Sequence, residues 1–146
     1  MSGFFNSMKI SASGLAAQRM RMNVLSTNLA NAQTTRTPEG GPYKRQDVVF
    51  TAEPTGSVFE DFLGGTSNAR LREVKIVDIH QDMSEPRRVF EPSHPDANQE
   101  GYVEMPNVQV MTEMVNMIAA TRAYEANATA FNQIKGMATK ALEIGR

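Results

Sequence analysis

Cysteine is absent from the 146-residue sequence, which excludes disulfides, thiolate metal sites and cysteine nucleophiles. No apolar run approaches the roughly 18 to 20 residues that a membrane span needs, so we expect no membrane insertion. Residues 1–14 lack the basic start and the unbroken apolar stretch of a secretory signal peptide. The net charge of −1 gives no general attraction to nucleic acid, and we expect none as a partner.

Proline is missing from both ends of the chain, because all seven prolines lie between residues 38 and 106. Acidic residues are also missing from residues 1–35, whereas residues 36–106 carry thirteen acidic and eight basic residues. Long helices need proline-free sequence. We therefore predict an N-terminal helix in residues 1–35, a β-rich and irregular insert with an extended connector in residues 36–106, and a C-terminal helix in residues 107–146.

The N-terminal helix is predicted from about Ser7 to about Ala32 and carries two apolar rows. The first row repeats every seven residues, as in a coiled-coil seam, and consists of Met8, Leu15, Met22 and Leu29, with Ala12 and Leu25 between them. The second row consists of Ile10, Ala17 and Val24 and lies about 200° round the helix from the first. Two rows on nearly opposite sides indicate two packing partners.

The C-terminal helix is predicted from about Asn107 to near the chain end. Its apolar residues at spacings of three and four are Val110, Met114, Met117, Tyr124, Ala128, Phe131, Ala138 and Leu142. Thr121 and Lys135 interrupt this row, and Ile134, Met137, Ala141 and Ile144 form an additional one. A single helical hairpin cannot bury all these rows, so we expect both ends of the chain to be held by further partners.

The predicted fold is mainly α, with the two terminal helices paired as an antiparallel coiled-coil hairpin and a small irregular β-containing insert between them. Within the insert, β-branched runs predict strands at Tyr43–Thr51 and Leu71–Ile79, and a third is possible at Arg87–Glu91. Residues 53–69 are rich in glycine and serine and are predicted to be mobile. Residues 91–106 are interpreted as an irregular extended connector.

Few residues are suited to catalysis or metal binding. Ser93, His94 and Asp96 include the residue types of a catalytic triad, but they are too close in sequence, around a proline, for its geometry. A turn in which Asp96 and Asn98 cap backbone groups is the favoured interpretation. A metal site would need His94, Asp96 and Glu100 to converge, and we predict no metal, no cofactor and no enzyme activity.

Residues 94–96, His-Pro-Asp, resemble the signature tripeptide of the J-domain co-chaperones. In that family the tripeptide lies between two helices, the first of them rich in basic residues. Here the preceding residues are VFEPS, with a proline two positions before the histidine. The resemblance is limited to three letters, and we reject it.

Two longer motifs resemble the terminal signatures of the flagellar axial proteins, a family that comprises rod, hook and hook-associated subunits. These motifs are SASGLAAQRMRMNVLSTNLANAQTT at residues 11–35 and EMVNMIAATRAYEANATAFNQIKGMATKALEIGR at residues 113–146. The connector PSHPDANQEGYVEMPNV at residues 92–108 resembles the proximal-rod branch. Asn116 is a departure, because an acid is expected there in this family.

The resemblance implies a structural subunit of the proximal rod, which spans the periplasm within the flagellar basal body. Such subunits are exported by the flagellar type III apparatus and polymerise through their terminal helices with copies of themselves, with other proximal and distal rod subunits, and with the adapter or MS-ring at the base. The alternatives are a helical-hairpin adaptor or co-chaperone, or another axial subunit of the distal rod or hook.

The resemblance also suggests a role for the asparagines of the first helix, which could hydrogen-bond to adjacent subunits and fix their register. Alternatively, Asn28 and Asn31 cap and end the helix. The residues expected at subunit interfaces or in the coiled coil are Met8, Leu15, Met22, Asn23, Leu25, Asn28, Leu29, Asn31, Met114, Met117, Tyr124, Asn127, Phe131 and Leu142.

Overall fold

The computed structural model describes residues 2–55 and 71–144. Its elements in chain order are helix α1 (Ser2–Ala30), strands β1 (Gln46–Pro54), β2 (Arg72–Gln81), β3 (Arg87–Phe90) and β4 (Tyr102–Met105), and helix α2 (Val110–Ile144). The prediction of mobility for residues 53–69 falls mainly on residues 56–70, which lie outside the described residues, and it stays a prediction.

Both terminal helices are present, as expected from the proline-free ends. They contain 29 and 35 residues, which is half of the residues that the structure describes, so the structure does not establish the description of the fold as mainly α. The structure is a pair of terminal helices with small antiparallel sheets between them. Helix α1 begins about five residues earlier than predicted, and α2 begins about three residues later, beyond Pro106, which has no N–H for a helical hydrogen bond.

The two helices pack against each other in opposite directions. Near the end of α1, Asn28 contacts Glu113 at the start of α2; further back along α1, Met22 contacts Thr121, and Gly14 lies against Asn127. A Cβ atom added at Gly14 would lie 3.0 Å from the side-chain oxygen of Asn127, so the helices approach closely there. The antiparallel hairpin is therefore observed, while its packing as a regular coiled coil stays a prediction.

Two antiparallel pairs of strands make up the insert. Strand β1 pairs with β2 from Gln46 opposite Gln81 to Pro54 opposite Arg72, with a bulge between Val49 and Phe50. The two longer strands and β3 were predicted, although β1 is shifted by three residues towards the C-terminus. The insert thus contains the strands that its β-branched runs predicted.

Strand β4 corrects the interpretation of residues 91–106 as an irregular connector, because it pairs with β3 from Met105 opposite Arg87 to Tyr102 opposite Phe90. Only Val103 among its four residues is buried, so the sequence of this strand carries a weak alternation of apolar and polar residues. Gly101 precedes β4 with φ of +80°, and a Cβ atom there would lie 2.9 Å from the Phe90 ring. A glycine is therefore needed at this turn.

The second apolar row of α1 faces the β1–β2 sheet of the same chain. Ser13 accepts a hydrogen bond from the backbone N–H of Val74 (3.1 Å), and Lys9 pairs with Glu73 (3.1 Å). At 100° per residue, the buried Ala17 and Val24 lie on the same side of α1 as these contacts. One of the two expected partners of α1 is therefore this sheet.

The row of α2 that faces α1 differs in phase from the predicted row. The buried and half-buried positions at spacings of four and three are Glu113, Met117, Ala120, Tyr124, Asn127, Phe131, Ile134 and Ala138. Met114 and Leu142, which we expected in the coiled-coil seam, are exposed. Thr121 and Lys135, which interrupted the predicted row, are exposed as well, because that row turns away from α1 at these points.

Candidate functional site

A cluster of polar groups, buried at Asn28 and Glu113, joins α1, the chain around the start of β1, and α2. It consists of Asn28, Tyr43, Arg45, Gln46 and Glu113, and we call it the polar cluster. The Asn28 side chain is 0% exposed: its amide nitrogen donates to the Gln46 carbonyl (2.7 Å) and to Glu113 (3.0 Å). Its oxygen accepts from the Tyr43 hydroxyl and from the Gln46 backbone N–H, both at 2.9 Å. The remaining oxygen of Glu113 accepts from Arg45 Nε at 2.8 Å.

Charge in the polar cluster is matched. Glu113 is 1% exposed, and a carboxylate at such a depth requires a paired cation and hydrogen bonds. Partial burial works against the charge of Arg45, but its hydrogen bond to Glu113 and the charges of Glu113 and Asp47 outweigh this and raise its pKa. Burial and then the charge of Glu113 raise the pKa of Tyr43, because both disfavour a phenolate. Arg45 is therefore a cation and Tyr43 a neutral donor.

The three asparagines that were predicted to contact adjacent subunits, Asn23, Asn28 and Asn31, have different surroundings. Asn28 uses all four of its hydrogen-bonding positions within the chain, so the structure gives it a different role from the expected bond to an adjacent subunit. Asn31 follows the last residue of α1 and donates to the Thr27 carbonyl (2.9 Å), which supports the capping alternative. Asn23 is exposed, and its interface role stays a prediction.

An apolar surface lies on the first turns of α2, on the side turned away from α1. We call it the apolar face; its members are Val110, Met111, Met114, Val115 and Ile118, all exposed. Val115 and Ile118 are 62% and 55% exposed, and the one charged side chain between residues 110 and 118, Glu113, is buried in the polar cluster.

The apolar face ends abruptly along α2. Beyond Ile118, the same side of the helix carries Arg122, Glu125 and Asn132, which are exposed and polar. Large contiguous apolar surfaces on a protein are typical of sites that bind other proteins. The apolar face is therefore the strongest candidate for a contact surface among the described residues.

The other predicted interface residues lie mostly between the two helices of this chain. Leu25 is buried, whereas the following residues are half-buried: Met8, Leu15, Met22, Leu29, Met117, Tyr124, Asn127 and Phe131. Met114 belongs to the apolar face, and Leu142 is exposed near the end of α2. The structure thus brings most of these residues together within one hairpin, and their contacts with other subunits stay predictions.

The connector around His94 has the geometry of a turn. His94 Nδ1 accepts a hydrogen bond from the backbone N–H of Asp96 (3.1 Å), whereas the histidine of a catalytic triad donates from this nitrogen to a carboxylate. Asn98 caps two backbone N–H groups of the following turn, as predicted. Asp96 accepts from the Thr35 hydroxyl (2.8 Å) instead of capping the backbone.

Within residues 2–55 and 71–144, no cluster of three or more histidine or acidic side chains has an arrangement suited to a metal ion. Neither helix of the described chain combines the length and the apolar composition that a membrane crossing requires.

Four members of the polar cluster, Tyr43, Arg45, Gln46 and Glu113, were not predicted from the sequence. Glu113 had one visible signal, because it is an isolated acid within an apolar stretch of α2. Its partner Arg45 lies 68 residues away along the chain, and no local pattern links the two.

A terminal helical pair encloses a small β insert and leaves apolar surface uncovered, and the family comparisons identify the class of protein. The model described as "Flagella basal body rod protein" matches residues 8–36, and the one described as "Flagellar basal body rod FlgEFG protein C-terminal" matches residues 99–144. The class is therefore that of the flagellar basal-body rod proteins.

Relatives define the family more narrowly. The flagellar basal-body rod protein FlgC of Bacillus subtilis (strain 168) is 47% identical, over 97% of this chain and 98% of the relative. The FlgC proteins of Borreliella burgdorferi and Salmonella typhimurium (strain LT2) are 42% and 38% identical, over 97% of each chain. The chain belongs to the FlgC family of flagellar basal-body rod proteins. It is a structural component of the flagellar basal body, and the resemblance seen in its terminal motifs is confirmed.

Proposed function

We propose that the chain is a subunit of the proximal rod and polymerises through its terminal helices to form part of the torque-transmitting shaft across the periplasm. Its partners are copies of itself, other proximal and distal rod subunits, and the adapter or MS-ring at the base. It reaches this position through the flagellar type III export apparatus. Membership of the FlgC family supports the rod assignment.

The observation that carries the polymerisation proposal is the apolar face of α2. Its five side chains are exposed in the single chain, so their favourable burial is available to another subunit. A surface that contacts a different surface on the next subunit produces an open helical polymer when the rotation between subunits does not close into a ring. The apolar face lies on one helix of the hairpin and is suited to such a contact.

The test is a carboxylate on the apolar face, Ile118→Asp. Ile118 is exposed in the single chain, so the variant should fold normally, but a buried unpaired charge at a subunit contact costs several kcal/mol. We expect expressed protein, cells that do not swim, and no rods in isolated basal bodies. The matched control is Asn132→Asp, an exposed polar position on the same side of α2 beyond the apolar face.

The control should swim like the wild type, and circular dichroism of both purified variants should match it. Normal rods containing Ile118→Asp subunits would show that the apolar face is not a subunit contact. Equal loss of swimming in both variants would mean that this side of α2 tolerates no added charge at either position. The result would then not single out the apolar face as a subunit contact.

A further inference from the structure

The apolar face borders a groove between the end of α1 and the first turns of α2. The groove has a volume of about 470 Å³, within the range of roughly 300 to 1,000 Å³ that is usual for binding pockets. Two charged residues line it towards the following turn of α2, Arg122 and Glu125, and both are exposed. We call it the methionine groove; its other lining residues are Leu29, Met114, Met117, Ile118 and Thr121.

The chemistry of the methionine groove is suited to an aromatic side chain. Met114 and Ile118 are 47% and 55% exposed, and Met117 is half-buried beside them. Methionine side chains adapt to the shape of a partner, and their sulfur makes favourable contacts with aromatic rings. An aromatic anchor seated in such a pocket is typical of the residues that dominate protein interfaces. A segment that brings this anchor should be uncharged, because burying an unpaired charge is costly.

The free end of the hairpin, where α1 begins, presents such an anchor. Phe5 is 65% exposed, and the ring of Phe4 lies edge-on to it with the ring centroids 5.8 Å apart. Residues 2–8 carry no charged side chain. Phe90 is similarly exposed among the described residues, but it is followed directly by Glu91. Phe5 is therefore the exposed aromatic residue that best matches the methionine groove.

Phe5 and the methionine groove lie at opposite ends of the hairpin. Helix α1 has 29 residues and is therefore about 44 Å long, with Phe5 in its first turns and Leu29 at its end. The two surfaces of one chain cannot meet each other, whereas those of two copies arranged head to tail can. A contact between two different surfaces can be repeated from copy to copy, which is what an open polymer requires.

We propose that the methionine groove binds the free end of the hairpin of a second copy of this chain, with Phe5 as the anchor. This inference rests on the proposed function, because it names the partner of the apolar face. Arg122 and Glu125 stay at the border of the contact, where exposed charges cost little. The contact then buries an aromatic ring among apolar side chains and leaves no unpaired charge inside.

The absence of cysteine from the chain permits a test by thiol cross-linking. Gly3→Cys adds a thiol in the same turn as Phe5, and no described atom lies within 4 Å of the added Cβ. Glu125→Cys adds one at the border of the methionine groove. We expect cells with both substitutions to swim, and a short bis-maleimide to join neighbouring copies into dimers in their isolated basal bodies.

The matched control combines Gly3→Cys with Asn132→Cys, on the same side of α2 but outside the methionine groove. It should give at least about tenfold less dimer. Rods that form without a dimer specific to Gly3→Cys and Glu125→Cys would overturn the inference, and so would a cross-link that joins the Gly3→Cys thiol only to a different protein.

An exchange of charges serves as the test if the cysteine pair prevents rod assembly. Phe5→Asp and Ile118→Lys should each abolish swimming, and the double variant should recover it at least in part, whereas Phe5→Asp with Asn132→Lys should not. Absence of this recovery would then overturn the inference. If Ile118→Asp blocks rods but neither test links Phe5 to the methionine groove, the apolar face remains a subunit contact with another partner, and this inference alone fails.

Discussion

The two ends of the helical hairpin are stabilised by different interactions. At the insert end, Asn28 and Glu113 are almost fully buried and connect α1, α2 and β1 through hydrogen bonds and an ion pair. At the free end, Leu142 and Ile144 are 68% and 87% exposed. The buried polar groups of the insert end are satisfied within one chain, although the apolar face beside them is exposed, whereas the free end has no comparable polar cluster among the described residues.

The comparison shows what a buried polar cluster contributes and what exposed apolar side chains contribute. A buried polar cluster is satisfied in one geometry, so it specifies register, although its net contribution to stability is modest. Apolar side chains are not directional and can be buried against many surfaces, so they are suited to contacts between subunits. A subunit with both can keep a fixed orientation of its insert and still form extensive contacts with its neighbours.

The largest effect is expected from Leu25→Asp, which places an unpaired charge in the buried row between α1 and α2. Leu25 is buried, and the variant should lose several kcal/mol of unfolding free energy in denaturant titrations of the purified chain. Leu29→Asp should cost less because Leu29 is half-buried. Asn23→Asp, which adds the same charge at an exposed position, is the control. Equal stability of Leu25→Asp and Asn23→Asp would mean that the insert end is not a packed core.

A smaller effect is expected from Tyr43→Phe, which removes one hydrogen bond to Asn28 at a cost of about 1 kcal/mol. The pKa of Tyr43 is raised by burial and by Glu113, so its stabilisation is complete below the unfolded-state pKa of about 10. That stabilisation is lost as pH rises through the higher folded-state pKa. Above pH of about 10, the wild type should therefore lose more unfolding free energy than the variant. If the unfolding free energies of the two proteins fall in parallel with rising pH, ionisation of Tyr43 is not the cause of the fall.

The smallest effect on the free chain is expected from Phe131→Ala, although it removes the most apolar area. Phe131 is half-buried towards the free end of the hairpin, and truncating a fully buried phenylalanine usually costs about 3 to 5 kcal/mol. We expect less than about 0.5 kcal/mol in the free chain, a change typical of surface sites, and a clear loss of swimming in cells. A free-chain loss as large as that of a core residue would show that both ends of the hairpin are folded before assembly.

Much of the helical hairpin could be predicted from sequence, because proline-free ends and apolar repeats are local signals. Sheet β1–β2 was visible in two β-branched runs, whereas β4 was missed because four residues with one buried valine give too short an alternation. The apolar face was only partly foreseen. Met114 was assigned to the seam with α1, and its exposure became evident once the helices were paired.

The sequence alone determined the two terminal helices, the strand-forming runs of the insert and the flagellar axial family, since each of these depends on residues close together in the chain. Tertiary structure decided which of two overlapping apolar rows of α2 faces α1. Both rows contain Met117, Tyr124, Phe131 and Ala138, so spacing could not separate them. The choice is made by Glu113, which is buried because Asn28 and Arg45, 85 and 68 residues away, satisfy its carboxylate.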